Sequence, residues 1–322
     1  MKGQQTDWKR LRMMSYDNTE KVWVVIPTHN RSDDLNECIE SLLKAGISGE
    51  QIIVVDNAST DNTIEMIQES FSSVKIISLD ENLGATGASN AGFDLALGQG
   101  ADYILRLDSD TVVAPDFLPP LIEVAQSDPN IGVVSPKIYF HNQPNVIWYA
   151  GVDRQPLILG ARNSHRNQQD SPENSQIRVV AYTWAAAMLI RREVLEKSKG
   201  FDTDFFVYHE EIDFCERITT LGYQLIFVPE SFVWHKVGSV ANSAWTAFHW
   251  NRSKMLLYRK HSKNIFHRIL LIIYAFSYAV YDQMCFILHF RSKRGNRGPL
   301  THALRGLWVG LTTDLSNKKR TA

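Results

Sequence analysis

The sequence predicts an α/β fold: a mostly parallel central sheet with helices on both faces, followed by a C-terminal helical appendage. Three observations carry that prediction. Short, continuously apolar runs alternate with amphipathic segments of helical spacing, as in a sheet buried on both faces. Polar residues gather immediately after the apolar runs, at the strand ends where open parallel sheets place their ligands. Beyond about residue 250 the charge balance inverts: residues 1–251 hold 20 Lys+Arg and 33 Asp+Glu, whereas residues 252–322 hold 14 and only two, Asp282 and Asp314.

The elements follow in order. After a polar leader (1–21), Val22–Ile26 is a buried strand closed by Pro27. Asp33–Lys44 has helical spacing through Leu35, Ile39, Leu42 and Leu43. Ile52–Val55 is a second strand, Thr63–Phe71 a helix, Val74–Leu79 a third strand, Ala88–Leu97 a helix and Tyr103–Leu107 a fourth strand. Val133–Ile138, Arg178–Tyr182 and Leu225–Val228 read as further strands and Val194–Ser198 as a short helix. Between them Asp153–Gln176 is polar and irregular, a flexible loop over the strand ends.

With 44% hydrophobic and 21% charged residues among 322, the chain is an ordinary folded protein, neither disordered, collagen-like nor a disulfide-stapled miniprotein. Cys38, Cys215 and Cys285 form no CxxC pair, which points away from a zinc site or disulfide framework and toward a reducing compartment. The leader lacks the apolar stretch of a secretory signal, so the expected location is cytoplasmic.

Four polar constellations carry chemistry. Asp108-Ser-Asp110 follows an apolar strand, and two carboxylates at a strand end suit a hard divalent cation that bridges phosphates. Asn82-Leu-Gly84-Ala-Thr-Gly87 is a glycine-rich loop running into a helix, whose N-terminus favours a diphosphate; the plainer alternative is a tight turn with Gly92 at a packing contact. Asp56 ends a strand and can accept a hydrogen bond from a pyrimidine imide N–H, or cap the turn that follows. Glu210-Glu211-Ile-Asp213 packs acids densely enough to raise a carboxylate pKa toward that of a base; Asp213 has Arg217 four residues on, which leaves Glu210 and Glu211 free. Trp234-His235 can supply an imidazole to the same cation.

In this order the motifs resemble glycosyltransferase family 2, inverting, metal-dependent enzymes with the Rossmann-like GT-A fold. The match runs through Val25-Ile-Pro-Thr-His-Asn-Arg31, Val54-Val-Asp-Asn-Ala-Ser-Thr-Asp61, Asn82-Leu-Gly with Gly87 and Asn90, Leu107-Asp-Ser-Asp110, Ala185–Ile190, Gly200-Phe-Asp202, Glu210–Asp213 and Trp234-His235, over about residues 22–260. Its rhamnosyl- and galactofuranosyl-transferase-like branch, which builds bacterial surface polysaccharides, is the nearest in flavour. The resemblance implies that Thr28, Asn30, Arg31, Asp56 and Asn57 hold the donor, with Asn82, Gly84 and Gly87 lining its edge. Asp108 and Asp110 would carry Mg²⁺ or Mn²⁺ on the diphosphate of a UDP- or dTDP-linked sugar, Asp110 more directly and His235 as a further ligand. Glu211 would be the general base, with Glu210 beside it; family members more often have Glu-Asp here. Residues 22–115 then form the nucleotide-sugar half and 116–250 the acceptor and catalytic half.

Residues 251–322 form a basic amphipathic helical region. Ile269–Phe290 is long enough to span a bilayer, yet Tyr274, Tyr278, Tyr281, Asp282, Cys285 and His289 make a polar stripe, and a central Asp costs about 2.5–3.5 kcal/mol to insert. Lys/Arg clusters at 252–268 and 291–297 bracket it, as for an interfacial helix on an anionic membrane. A second apolar stripe runs from Leu300 to Leu311; helices packed on the body or on a second copy are the alternative. The expected protein is thus a peripheral glycosyltransferase on the inner face of the cytoplasmic membrane, with a glycan or lipid-linked acceptor and no nucleic acid partner. A sugar nucleotidyltransferase and a non-catalytic sugar-nucleotide or glycan-binding protein are the rival readings.

Overall fold

The computed structural model describes residues 21–155, 159–162, 165–237, 244–287 and 299–315. The first part alternates strictly: β1 (Val22–Thr28), α1 (Ser32–Lys44), β2 (Ile52–Asp56), α2 (Thr63–Ser70), β3 (Lys75–Ser78), α3 (Gly84–Gly98) and β4 (Tyr103–Leu107). The second part is more irregular: β5 (Thr111–Val113), α4 (Leu118–Ser127), β6 (Ile131–Phe140), β7 (Gln143–Tyr149), the two-residue strands β8 (Asp153–Arg154), β9 (Ala161–Arg162) and β10 (Arg178–Val179), then β11 (Ala187–Arg191), α5 (Arg192–Ser198), α6 (Glu210–Thr220) and β12 (Gln224–His235). Helices α7 (Ala244–His261), α8 (Ile265–Ile287) and α9 (Leu300–Thr312) close the described chain.

The main sheet runs β10–β12–β6–β11–β4–β1–β2–β3. β1, β2, β3 and β4 are mutually parallel, β11 is reversed against both β4 and β6, and β6 pairs parallel with β12. The carboxyl ends of β1, β2, β4, β6 and β12 therefore share one edge, and every polar constellation named above reaches it. Every residue of β2 and β4 is buried, which is why these strands read as unbroken apolar runs. Pro27 does not end β1: pairing with β4 stops at Val25, while pairing with β2 continues through Pro27–Val55 to Thr28–Asp56, so the missing N–H falls where only one neighbour is bonded.

Helix α1 turns Leu35, Cys38, Ile39 and Leu42 fully inward; at about 1.5–3 kcal/mol for each large apolar side chain, this face fixes it on the sheet. Gly92 in α3 lies where a Cβ would collide with Val25, so the packing role foreseen for it is real. Asp153–Gln176 is only partly irregular: β8 and β9 form a small hairpin and Pro172–Asn174 a short 3₁₀ turn. The strand expected at Arg178–Tyr182 shrinks to two ladder residues. Cys38 and Cys215 are buried free thiols; the side chain of Cys285, His289 and the 291–297 basic cluster lie outside the described residues.

Helix α7 runs unbroken across position 250 and packs on α9 through Gly306 and Gly310, where any Cβ would strike the Phe248 and Arg252 carbonyls. Helix α8 buries Leu271, Ala275 and Ala279 and turns Phe266, Ile269, Leu270, Ile273, Val280 and Met284 outward. Among the described residues no helix is long and apolar enough to cross a membrane.

Candidate active site

The metal-type cluster forms where β4 ends. Asp108 follows its last residue, Asp110 precedes β5, and β12 pairs antiparallel with β5 through His235–Thr111. The carboxylates of Asp108 and Asp110 and the imidazole of His235 offer ligand atoms all within 4.8 Å of one another. His235 Nε2 lies 2.9 Å from Asp110 Oδ1 and 3.7 Å from Asp108 Oδ2. Burial alone would lower the His235 pKa, yet the two aspartates raise it above the ordinary value. Burial likewise works to raise the Asp110 pKa, and His235 together with Arg31 holds it below the usual range. An oxygen-rich set with one imidazole fits Mg²⁺ or Mn²⁺; the buried His235 Nδ1 has no partner.

Arg106 is the group that sequence reading passed over. Its guanidinium, 2% exposed, donates to Asp108 Oδ1 and to the Ala185 carbonyl and reaches Ser89 Oγ at 3.4 Å. A single charge inside the apolar run Tyr-Ile-Leu-Arg-Leu was the available signal, since a buried arginine needs a carboxylate beside it. Trp148 also escaped notice; its ring packs edge-on to His235 with centroids 4.6 Å apart.

On the donor side, Thr28 and Asp56 face each other across β1 and β2. Asp56 Oδ2 accepts from the Ser59 backbone N–H at 3.1 Å, so the turn cap is formed, while buried Asp56 Oδ1 and Thr28 Oγ1 have no partner among the described residues. Asn30 adopts φ 54° and accepts from the Thr60 N–H at 2.7 Å; Arg31 pairs with Asp34 at 2.8 Å. Asn57 is wholly engaged: it donates to Asn82 Oδ1 (2.9 Å) and the Gly84 carbonyl (3.1 Å) and accepts from the Leu83 N–H (2.8 Å). The glycine-rich loop closes on the protein itself. Gly84 N–H donates to Asn82 and Ala85 N–H to the Phe206 carbonyl, so these first amides of α3 are not open to a diphosphate. Gly84, at φ 73°, lets the loop meet Phe206 where a Cβ would collide, and Gly87 does the same against Leu83. Asn90 clamps Phe201 through both its amide atoms.

The first turn of α6 is entered through two consecutive left-handed residues, Tyr208 (φ 67°) and His209 (φ 65°), and its acids share the electrostatic field of Asp108 and Arg106. Such backbone costs roughly 1–2 kcal/mol per non-glycine residue and is held by Asp213. That fully buried carboxylate takes Arg217, Lys260 and His261, each at 2.8 Å, and stays ionised far below the usual range despite its burial. Among the described residues Glu210 and Glu211 have no hydrogen-bonded or ion-paired side-chain partner. Burial pushes the Glu210 pKa up to about 7, with Arg106 opposing and Asp108 adding to the rise; its Oε2 has no hydrogen bond. Glu211 is partly exposed, and its pKa is raised well above the usual value by its surroundings and by the neighbouring Glu210 charge.

Comparisons with known proteins bear on the family and the fold. Over 239 residues the chain is 26% identical to an N-acetylglucosaminyl-diphospho-decaprenol L-rhamnosyltransferase of Mycobacterium tuberculosis, covering 67% of this chain and 76% of that protein. It is 24% identical to a poly-beta-1,6-N-acetyl-D-glucosamine synthase of Staphylococcus aureus, covering 72% of this chain and 54% of that longer protein. The fold matches the mannosyltransferase PcManGT of Pyrobaculum calidifontis, solved with GDP-Man and Mn²⁺, at a TM-score of 0.56 and 16% identity over 94% of this chain and 92% of that one. The family model "Glycosyl transferase family 2" matches residues 23–198, and the chain, with its GT-A architecture, belongs to that family.

Proposed function

We propose that the protein is an inverting glycosyltransferase that moves a hexose or deoxyhexose from a UDP- or dTDP-linked donor to a hydroxyl of a glycan or lipid-linked acceptor in bacterial surface polysaccharide synthesis. The observation that supports this best is the placement of a partnerless, pKa-raised carboxylate pair on α6 beside the Asp108–Asp110–His235 cluster. The nucleoside lies along the ends of β1 and β2, where Thr28 and Asp56 keep free acceptor atoms. Asp108, Asp110 and His235 would hold Mg²⁺ or Mn²⁺, which supplies Lewis-acid stabilisation of the departing diphosphate charge. Arg106 fixes the Asp108 carboxylate. Glu211 takes the acceptor hydroxyl proton as the acceptor oxygen bonds to the anomeric carbon, the bond to the diphosphate breaks and the configuration inverts. Its raised pKa strengthens its hold on a proton, and the partial exposure of the residue leaves room for an acceptor.

The outward apolar stripe of α8 supports the membrane part of the reading. Phe266 is 81% exposed, and Lys263 and Arg268 flank it. A helix lying flat, with large apolar side chains down and cations at headgroup level, binds anionic bilayers.

The test begins with thermal shift against UDP, dTDP, GDP and their sugars with Mn²⁺ present. Donor hydrolysis or transfer is then measured for Asp110→Asn and Glu211→Gln. Both should lose transfer, with donor binding kept in Glu211→Gln alone. Near-normal turnover of Glu211→Gln would remove it as the base. Failure to co-sediment with anionic liposomes at low salt would remove the membrane part.

A further inference from the structure

Further along the same sheet edge, past His235, lies a cleft of about 560 Å³, within the usual size range of small-molecule sites. Its wall carries four carboxamides, Asn142, Gln143, Asn167 and Gln169, with Phe140 and Val146 as apolar floor. All four amides are exposed, and no hydrogen bond within the described residues engages their side chains. Four uncommitted amides around one cleft offer paired donors and acceptors without charge, which suits an uncharged, hydroxyl-rich ligand.

The wall is rigid. Residues 165–170 are laid against β7 by backbone bonds from Ile147 to Gln168, from Asn167 to Ile147 and from Asp170 to Asn145, at 2.9–3.0 Å. Asp170 anchors their far end on Lys137 (2.8 Å) and the Tyr139 hydroxyl (2.6 Å). A preformed wall spares a ligand the cost of ordering it. The cleft also connects to the reacting centre. Lys236, which lines it, donates its backbone N–H to the Asp110 carbonyl at 2.9 Å. Arg166 stacks over both Phe140 and Trp148, and Trp148 packs on His235.

Charge selects among ligands. Lys236 Nζ is spent on Asp34 (2.9 Å) and Glu37 (2.5 Å), so the cation of the lining is neutralised; Arg166, over Phe140, is the cation beside it.

We infer that this cleft is a subsite for a neutral saccharide unit of the acceptor, adjoining the sugar that presents the attacking hydroxyl. The inference rests on the glycosyltransferase reading and adds its selectivity: acceptors are recognised beyond the reacting residue, through uncharged sugar hydroxyls.

The experiment uses the full chain on an array of immobilised neutral, sialylated and phosphorylated oligosaccharides of one to six residues, with Gln143→Ala/Asn167→Gly as the comparison. Glycine is chosen at 167 because its φ is 64°, so the amide is removed without strain. Wild type should bind neutral oligosaccharides of two or more residues, and the variant should lose at least tenfold while its melting temperature and its Mn²⁺-dependent shift with UDP or dTDP stay unchanged. Undiminished neutral-glycan binding by the variant, binding confined to charged glycans, or no array binding would overturn the subsite. A folded protein that shows no nucleotide shift at all would instead count against the glycosyltransferase reading.

Discussion

Replacing Glu210 by Gln should stabilise the protein at neutral and higher pH, with a gain that fades toward pH 4.5. The side chain is 5% exposed, one carboxyl oxygen has no hydrogen bond, and burial lifts its pKa from 4.5 to about 7. In the unfolded chain the group ionises near its ordinary value. Between the two pKa values the folded state therefore holds a proton that the unfolded state has released, and stability falls as pH rises. Above pH 7 the penalty is complete, at most about 3.5 kcal/mol at roughly 1.4 kcal/mol per pKa unit. A neutral amide of the same shape removes that penalty but brings an N–H₂ needing a partner, which returns about 1 kcal/mol. The net expectation is about 2 kcal/mol of stabilisation at pH 8, shrinking to nothing or reversing by pH 4.5. Urea denaturation followed by tryptophan fluorescence at pH 4.5, 6, 7 and 8, on wild type and variant without added metal, measures it. Equal effects at all four pH values would refute the reasoning, because no ionised, partnerless carboxylate would then be buried at 210.

The remaining expectations follow from the same contacts. Asp213→Ala strands Arg217, Lys260 and His261 and should cost about 3–5 kcal/mol at pH 7 by chemical denaturation. Because the folded Asp213 pKa is depressed, its contribution is present above the unfolded value and is lost as pH falls; the wild-type advantage should therefore shrink below about pH 4. Gly84→Ala forces a side chain into left-handed backbone against the Phe206 carbonyl; at least about 1–2 kcal/mol should be lost, with weaker UDP- or dTDP-dependent thermal shifts as the Asn57–Asn82–Gly84 turn moves. Arg106→Met should weaken Mn²⁺ binding in calorimetry by freeing the Asp108 carboxylate, while Arg106→Lys restores part of it.

What could be read ahead of the structure depended on how each element is buried. Tyr103–Leu107 is bounded by its own apolar run because both faces of β4 are covered, and the sequence marks the strand to the residue. β7 starts with the exposed Gln143-Pro-Asn and so gives no periodic signal until Val146. β11 hides in Ala-Met-Leu-Ile, where a run of small residues precedes the strand. Helix α7 shows no single stripe: Met255, Leu256, Leu257 and Tyr258 are all buried in succession, because α9 and the 202–211 turn cover it from different sides. At the site, the carboxylates and His235 were legible as polar residues at strand ends. Arg106 and Trp148 were not, since each looks like ordinary strand sequence until the fold brings it against Asp108 or His235.

The inverted charge of the C-terminal part takes on a double meaning. In the sequence its cations flank apolar helices, as for an anionic surface. Several point inward instead: Lys260 and His261 close on Asp213, Arg252 donates to the Asp204 carbonyl at 2.9 Å, and Arg259 caps α9 through the Gly310 and Thr313 carbonyls at 2.7 Å. Ser253 adds a bond to the Val207 carbonyl at 2.7 Å, and the Trp250 ring covers His209. These contacts grip the 202–213 segment, and that segment carries Glu210 and Glu211 through two residues of left-handed backbone. An acidic body meeting a basic helix thus stabilises a costly turn, and that turn carries the carboxylate pair proposed as the catalytic base. α7 also packs on α8, so the stripe proposed to lie on the bilayer and the proposed base are joined through one helix. Docking of α8 would then fix the direction from which an acceptor hydroxyl reaches Glu211.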